Sequence, residues 1–207
     1  MPESTALLRN EPVQARSTAR LSTLLDAAAE VVDEIGYERL TTAMVAERAG
    51  ASIGTVYRYF PDRIAVLQSL GARSLGHFLE RVRPAMADKA TWREAVDALF
   101  AVAVDSFTSE PGFRSLRFGD VIDVRPIDGD RSGNETVAAE IADVLSTHYS
   151  LPNNAELRLR IEVALHIVDA LLARAFAVDT KGDKRFISEA RTIGRDYLTG
   201  YYGDPTA

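Results

Sequence analysis

The chain has 207 residues, 46% of them hydrophobic, no cysteine, and a formal net charge of −6. That is enough apolar material for one or two packed domains, and it excludes a disulfide framework. No apolar run approaches the ~20 residues of a membrane span, the N-terminus lacks the apolar centre of a secretory leader, and the acid excess argues against a globally basic surface.

In chain order, residues 1–17 read as a flexible N-terminal arm. Leu21, Leu24, Leu25, Ala28, Val31, Val32 and Ile35 then recur at helical spacing, and Gly36 stops the pattern. Thr41 or Thr42 caps a short helix with Val45 and Ala49 on its inner side. Gly50 suits a left-handed helix end, and Ser52 caps the next helix, Ile53 to Phe60. At 100° per residue, Ile53, Val56, Tyr57 and Phe60 gather on one side of it. Ser52, Thr55, Arg58 and Tyr59 gather on the other.

A long pattern from Asp62 to Ala87 follows, with Arg63 in its first turn and Leu67, Leu70, Leu75, Phe78, Leu79 and Val82 inward. Trp92 to Phe107 is the next helix, stopped by Pro111-Gly112. Residues 113–118 read as a short helix and 124–134 as a loop rich in turn formers. Val137, Ile141, Val144 and Leu145 mark a helix ending near Leu151-Pro152. Asn153 or Asn154 caps a helix to Val178, Lys181-Gly182 breaks it, and a last helix runs from Asp183 to Gly200. No period-2 pattern and no internal repeat is present. The fold class is all-α, with about nine helices.

Residues 41–60 carry the functional signal. Two short helices joined by a tight Gly-containing turn are what a helix-turn-helix requires, and donors on the outer face of the second suit base edges and phosphates. Local charge agrees: Arg9, Arg16 and Arg20 face only Glu11 between residues 9 and 20, and Arg48, Arg58 and Arg63 face only Asp62 between 48 and 63. The competing reading is an ordinary surface helix.

The order and spacing of Leu-Asp-Ala-Ala at 25–28, Gly-Tyr at 36–37, Thr-Thr at 41–42, Val-Ala-Glu-Arg-Ala-Gly at 45–50 and Gly-Thr-Val-Tyr-Arg-Tyr-Phe at 54–60 resemble the TetR family of transcriptional regulators. The resemblance covers about residues 18–70. It implies a helix-turn-helix DNA-binding domain over 18–65 and a helical effector-binding and dimerisation domain over 66–207. It further implies a palindromic duplex operator as partner, a homodimer through the last two long helices, and a cytoplasmic repressor released by a small, mostly apolar effector. The expected DNA contacts are Thr42, Ser52, Gly54, Thr55, Tyr57, Arg58, Tyr59 and Arg63, with the Tyr57 ring packed inward and its hydroxyl on a phosphate. Ala43 departs from members that carry a basic or amide side chain there.

The aromatic density from Trp92 to Phe118 is usual pocket material, and equally usual core. The expected effector wall is Phe78, Trp92, Phe100, Phe107, Phe113, Phe118 and Val144, with His166 and Asp169 as polar contacts. His77, His148 and His166 show no metal-ligand spacing, so neither a metal nor a cofactor is expected. No nucleophile elbow or phosphate-cradling loop nominates an enzyme. The alternative is a helical, dimeric interaction protein without an effector, which leaves the Ser52/Thr55/Arg58/Tyr59 face without a purpose.

Overall fold

The computed structural model describes residues 7–111, 113–114 and 133–204. Its helices are α1 (Leu7–Ile35), α2 (Thr42–Arg48), α3 (Ile53–Tyr59), α4 (Arg63–Ala87), α5 (Trp92–Ser109), α6 (Gly133–Tyr149), α7 (Ala155–Ala175) and α8 (Lys184–Tyr202), with a 3-10 turn at Tyr37–Arg39. No strand occurs among the described residues. The chain divides into two compact units, Met1–Leu70 and Gly71–Ala207, and α4 runs through the division.

The first unit is built on capped helix starts. Thr41 Oγ1 accepts the Met44 amide at 3.2 Å, Ser52 Oγ accepts that of Thr55 at 3.1 Å, and Asp62 Oδ1 accepts that of Ala65 at 2.8 Å. Each cap satisfies an amide that has no partner within its helix. Gly50, at φ 57°, makes the turn between α2 and α3, where a side chain would be strained. Leu24, Ala28, Val31 and Val32 of α1 are buried, with Leu40, Val45, Val56, Phe60, Val66 and Leu70 from the later segments.

Three expectations for this unit change. Helix α1 begins at Leu7, inside the segment read as a flexible arm. In α2 the buried pair is Val45 and Ala46, with Ala49 only half-buried. In α3 only Val56 is fully buried, with Phe60 just after the helix, at 0% and 2% exposure, while Ile53 and Tyr57 stand out at 43% and 54%. A helix of two turns touches its domain along one line, so the i, i+4 pair is covered and its flank is not.

In the second unit Leu75, Phe78 and Val82 of α4 are buried with Trp92, Phe107, Val137, Ile141, Val144, Leu145, Leu157, Ile161 and Leu172. Gly133 and Asn134, read as loop, form the first turn of α6 and are buried. The Asn134 amide nitrogen lies 3.3 Å from His166 Nδ1, a partner that makes burial of the amide tolerable. The short helix expected at 113–118 and the loop expected at 124–134 fall largely outside the described residues. Helix α7 stops at Ala175, ahead of the expected Val178, which is 92% exposed. Helices α7 and α8 pack so closely that a Cβ on Gly194 would come within 2.7 Å of Val168 Cγ2.

Candidate nucleic-acid interface

The outer surface of α3 presents Ile53, Gly54, Tyr57 and Arg58, all exposed. The Tyr57 hydroxyl accepts from Thr42 Oγ1 at 3.4 Å, which ties the first motif helix to the second. The ring therefore stands outward on this face, and the expected inward packing is corrected. Thr55 is half-buried and its hydroxyl bonds Ser52 Oγ at 2.9 Å, so these two side chains are partly engaged in capping. Gly54 has an ordinary helical backbone, and an added Cβ would meet only Ser52 Oγ, at 3.9 Å. The fold does not require a glycine there. Its effect is to leave the outer face of α3 flat.

Beside this face lies a concavity lined by Arg16, Ser17 and Arg20 of α1 with Arg58 and Tyr59 of α3, and among the described residues no acidic side chain lines it. Ser17 Oγ and the Tyr59 hydroxyl lie 3.3 Å apart, and the Arg58 guanidinium sits 5.3 Å from the Tyr59 ring centroid. The hydrogen bond with Ser17 draws the Tyr59 hydroxyl below its ordinary pKa, and Arg58 and Arg20 act in the same direction. Arginines and hydroxyls around an open hollow suit phosphate oxygens. Arg16 and Arg20 belong to the positive island legible in the sequence, where phosphate contact is expected, whereas Ser17 is a lining residue that the sequence did not single out.

Two expected cations are otherwise occupied. Arg48 bonds Glu30 at 3.1 Å and Glu34 at 2.6 Å, which cancels its part of the positive island. The hydrogen bond from Arg48 holds the Glu34 carboxyl below its usual range. Arg63 is exposed and donates to the Glu38 carbonyl at 2.7 Å, so it braces the 3-10 turn and keeps its other donors for solvent or phosphate.

In the second unit the expected effector wall is split. Phe78, Phe107, Phe113 and Asp169 come together around one cavity, with Asn134, Leu165 and Val168. Phe100 lines a second cavity with Ile161, Leu165, Val168, Arg191 and Gly194. Each encloses about 50 Å³. Trp92 and Val144 are core residues and line neither. The exposed His166 ring contacts Asn134 from outside, 3.9 Å from Glu162. Phe118 lies outside the described residues. Phe176, missed from sequence, completes the aromatic cluster, its centroid 5.3 Å from that of Phe107. Leu159, Ile193 and Tyr201 stay 52%, 38% and 50% exposed on α7 and α8. Among the described residues no helix is long and apolar enough to cross a membrane.

A capped two-helix motif on a buried bracing helix, joined to a larger helical unit, defines the helix-turn-helix regulator class. The pattern "Bacterial regulatory proteins, tetR family" matches residues 24–70, and "Tetracyclin repressor-like, C-terminal domain" matches residues 90–202. The chain belongs to the TetR family. The "Fatty acid metabolism regulator protein" of Bacillus subtilis (strain 168) is 38% identical over 71 residues, 34% of this chain and 37% of that protein. The "HTH-type transcriptional repressor KstR" of Mycolicibacterium smegmatis is 40% identical over 63 residues, 30% of this chain and 29% of that one. The chain thus spans only about a third of the length of these curated relatives. A TetR-family transcriptional regulator from Streptomyces coelicolor superposes with a TM-score of 0.74 at 32% identity, over 87% of this chain and 98% of that chain.

Proposed function

We propose that the protein is a homodimeric transcriptional repressor that binds a palindromic operator and is released by a small, mostly apolar effector. The single observation that carries the reading is the face of α3: Gly54, Tyr57 and Arg58 exposed beside the arginine-lined hollow of Arg16, Arg20 and Tyr59. Arg58 and Tyr57 address the groove. Arg16, Arg20, Tyr59 and Arg63 address phosphates, while Thr42 positions Tyr57. Ser52 and Thr55 act mainly by fixing the start of α3. The likeness to regulators, one of them named a repressor, supports the regulatory role over catalysis.

The exposed apolar residues of α7 and α8 support pairing with a second copy about a two-fold axis, so that two α3 helices meet successive half-sites. Phe78, Phe107, Phe113 and Asp169 form the core of the effector site, with Phe100 in the adjoining cavity. Such a protein would work in the cytoplasm. The test is footprinting of the palindrome upstream of its own gene, with binding titrated against salt. Binding to a scrambled duplex with the same affinity would reject operator recognition and favour the interaction-protein alternative.

A further inference from the structure

We propose that Ile53 reads the C5-methyl group of one thymine in each operator half-site, fixing a T·A pair by apolar contact alone. This rests on reading the protein as an operator-binding regulator. Among the described side chains of the first unit, three large apolar ones stay exposed: Met44 at 39%, Ile53 at 43% and Tyr57 at 54%. All three belong to the two motif helices. Met44 lines a hollow with Val31 and Ile35 of α1, which gives it apolar company within the unit. The Tyr57 hydroxyl accepts from Thr42 Oγ1 at 3.4 Å, so part of that side chain is tied to α2. Ile53 has no polar atom by which it could be held.

The fold asks little of this isoleucine. Ser52 caps α3, and Val56, with Phe60 just after the helix, supplies the buried contacts. Nor does helix propensity favour a β-branched residue here. A side chain so placed gains only when something apolar covers it.

Its neighbours decide what that cover can be. In this class of protein the opening residues of the second motif helix meet base edges in the major groove. Here the Ser52 hydroxyl accepts the Thr55 amide at 3.1 Å and lies 2.9 Å from Thr55 Oγ1, so both hydroxyls are engaged with each other. Gly54 adds no side chain, and an added Cβ would meet only Ser52 Oγ, at 3.9 Å. Base pairs can therefore come close to this turn, and Ile53 is the bulky group they meet. Arg58, one turn further on, supplies the polar readout. Ile53 offers neither donor nor acceptor, so the hydrogen-bonding groups of the base edges gain nothing from it. The thymine methyl is the apolar group that the major-groove edge presents. A guanine, adenine or cytosine in that place would put a polar edge against the isoleucine and leave it without a partner.

The test uses the full chain and the duplex it selects from a random-sequence library. Each half-site thymine is replaced in turn by uracil, which removes the methyl and keeps every hydrogen-bonding group. At one position affinity should fall by about fourfold per half-site, the worth of one buried methyl-sized group. Ile53→Ala should bind the thymine and uracil duplexes alike at that position, whereas Ile53→Val should keep most of the difference. If the alanine variant does not fold, Ile53→Ser makes the same comparison, and failure of both to fold would overturn the proposal, because the side chain would then serve the fold. Tolerance of uracil at every position by the wild type would also overturn it, as would a methyl effect that a folded Ile53→Ala leaves intact. Recovery of no preferred sequence from the library would instead remove the operator reading on which the proposal stands.

Discussion

At the scale of single residues, the arginines around α3 divide by what already holds them. Arg48 spends its charge on Glu30 and Glu34 within the domain. Replacing it by alanine should lower stability and leave the salt dependence of DNA binding unchanged. Arg16 and Arg20 line the hollow beside Tyr59. Alanine at either should weaken all duplexes alike and reduce the slope of log affinity against log salt by about 1 for each phosphate no longer neutralised. Arg58 stands on the outer face, and Arg58→Ala should relax sequence preference at one position by about 1–3 kcal/mol. Competition binding with single-base operator variants separates these outcomes. Gly54 gives the sharper test. Among the described residues only Ser52 Oγ comes within 4 Å of its missing Cβ, at 3.9 Å, and alanine is the better helix former by up to about 1 kcal/mol. Gly54→Ala should therefore hold or raise the melting temperature while weakening operator binding. If both fall together, the glycine serves the fold and not the groove.

At the scale of elements, the capped helix starts were legible, whereas the start of α1, the first turn of α6, the end of α7 and the rotation of short helices were not. Thr41, Ser52, Asn154 and Asp183 each cap the helix that begins beside them, because a cap is local chemistry between residues two or three apart. Which side of α3 is covered depends on α1 and α2, so a helical wheel centred on its apolar residues placed Ile53 and Tyr57 wrongly. The effector wall was half legible for the same reason: aromatic spacing finds the inner side of α5, but not that Phe107 borders one cavity and Phe100 another. The cap of α8 also has a pH signature. The Asp183 carboxyl bonds the Arg185 side chain at 2.7 Å and its amide at 2.9 Å, which lowers its pKa from 3.8 to about 2. A depressed carboxyl stabilises the fold fully above its unfolded pKa and loses that contribution as pH falls through the folded one. Asp183→Asn keeps a cap acceptor but loses the charge. The wild type should melt above this variant at neutral pH, and the gap should close between about pH 4 and pH 2.

At the scale of the whole molecule, the proposed repressor requires two copies acting together for operator affinity. Ile193 is 38% exposed on the α8 side that also bears Tyr197 and Tyr201, while Leu159 is exposed on α7. Among the described residues Leu159 and Ile193 remain exposed, while the Arg160 guanidinium lies 4.0 Å from the Tyr201 ring centroid. A charge at Ile193 would be solvated in a monomer but buried and unpaired in the paired state, where leaving it costs several kcal/mol. Ile193→Glu should therefore sediment as a folded monomer at concentrations where the wild type is a dimer. Its operator affinity should collapse, because two half-sites no longer gain from being linked, while affinity for a single half-site should stay near the wild-type value. Control by an effector adds a second requirement. Helix α4 begins at Arg63, next to the motif, and carries Phe78 at the aromatic cavity; in the proposed repressor, a ligand that prefers one disposition of α4 would shift operator affinity by no more than its differential affinity. Phe107 is the point at which to probe this. Its ring is 4% exposed, with centroids 5.4 Å from Phe113 and 5.3 Å from Phe176. Alanine there would cost about 3–5 kcal/mol and endanger the fold. Phe107→Leu is the gentler change, and it should raise the effector concentration needed for release while leaving ligand-free operator affinity near wild type. A mobility-shift titration with and without effector reads both quantities, and a parallel loss of both would mean that the aromatic cluster supports the fold and takes no part in release.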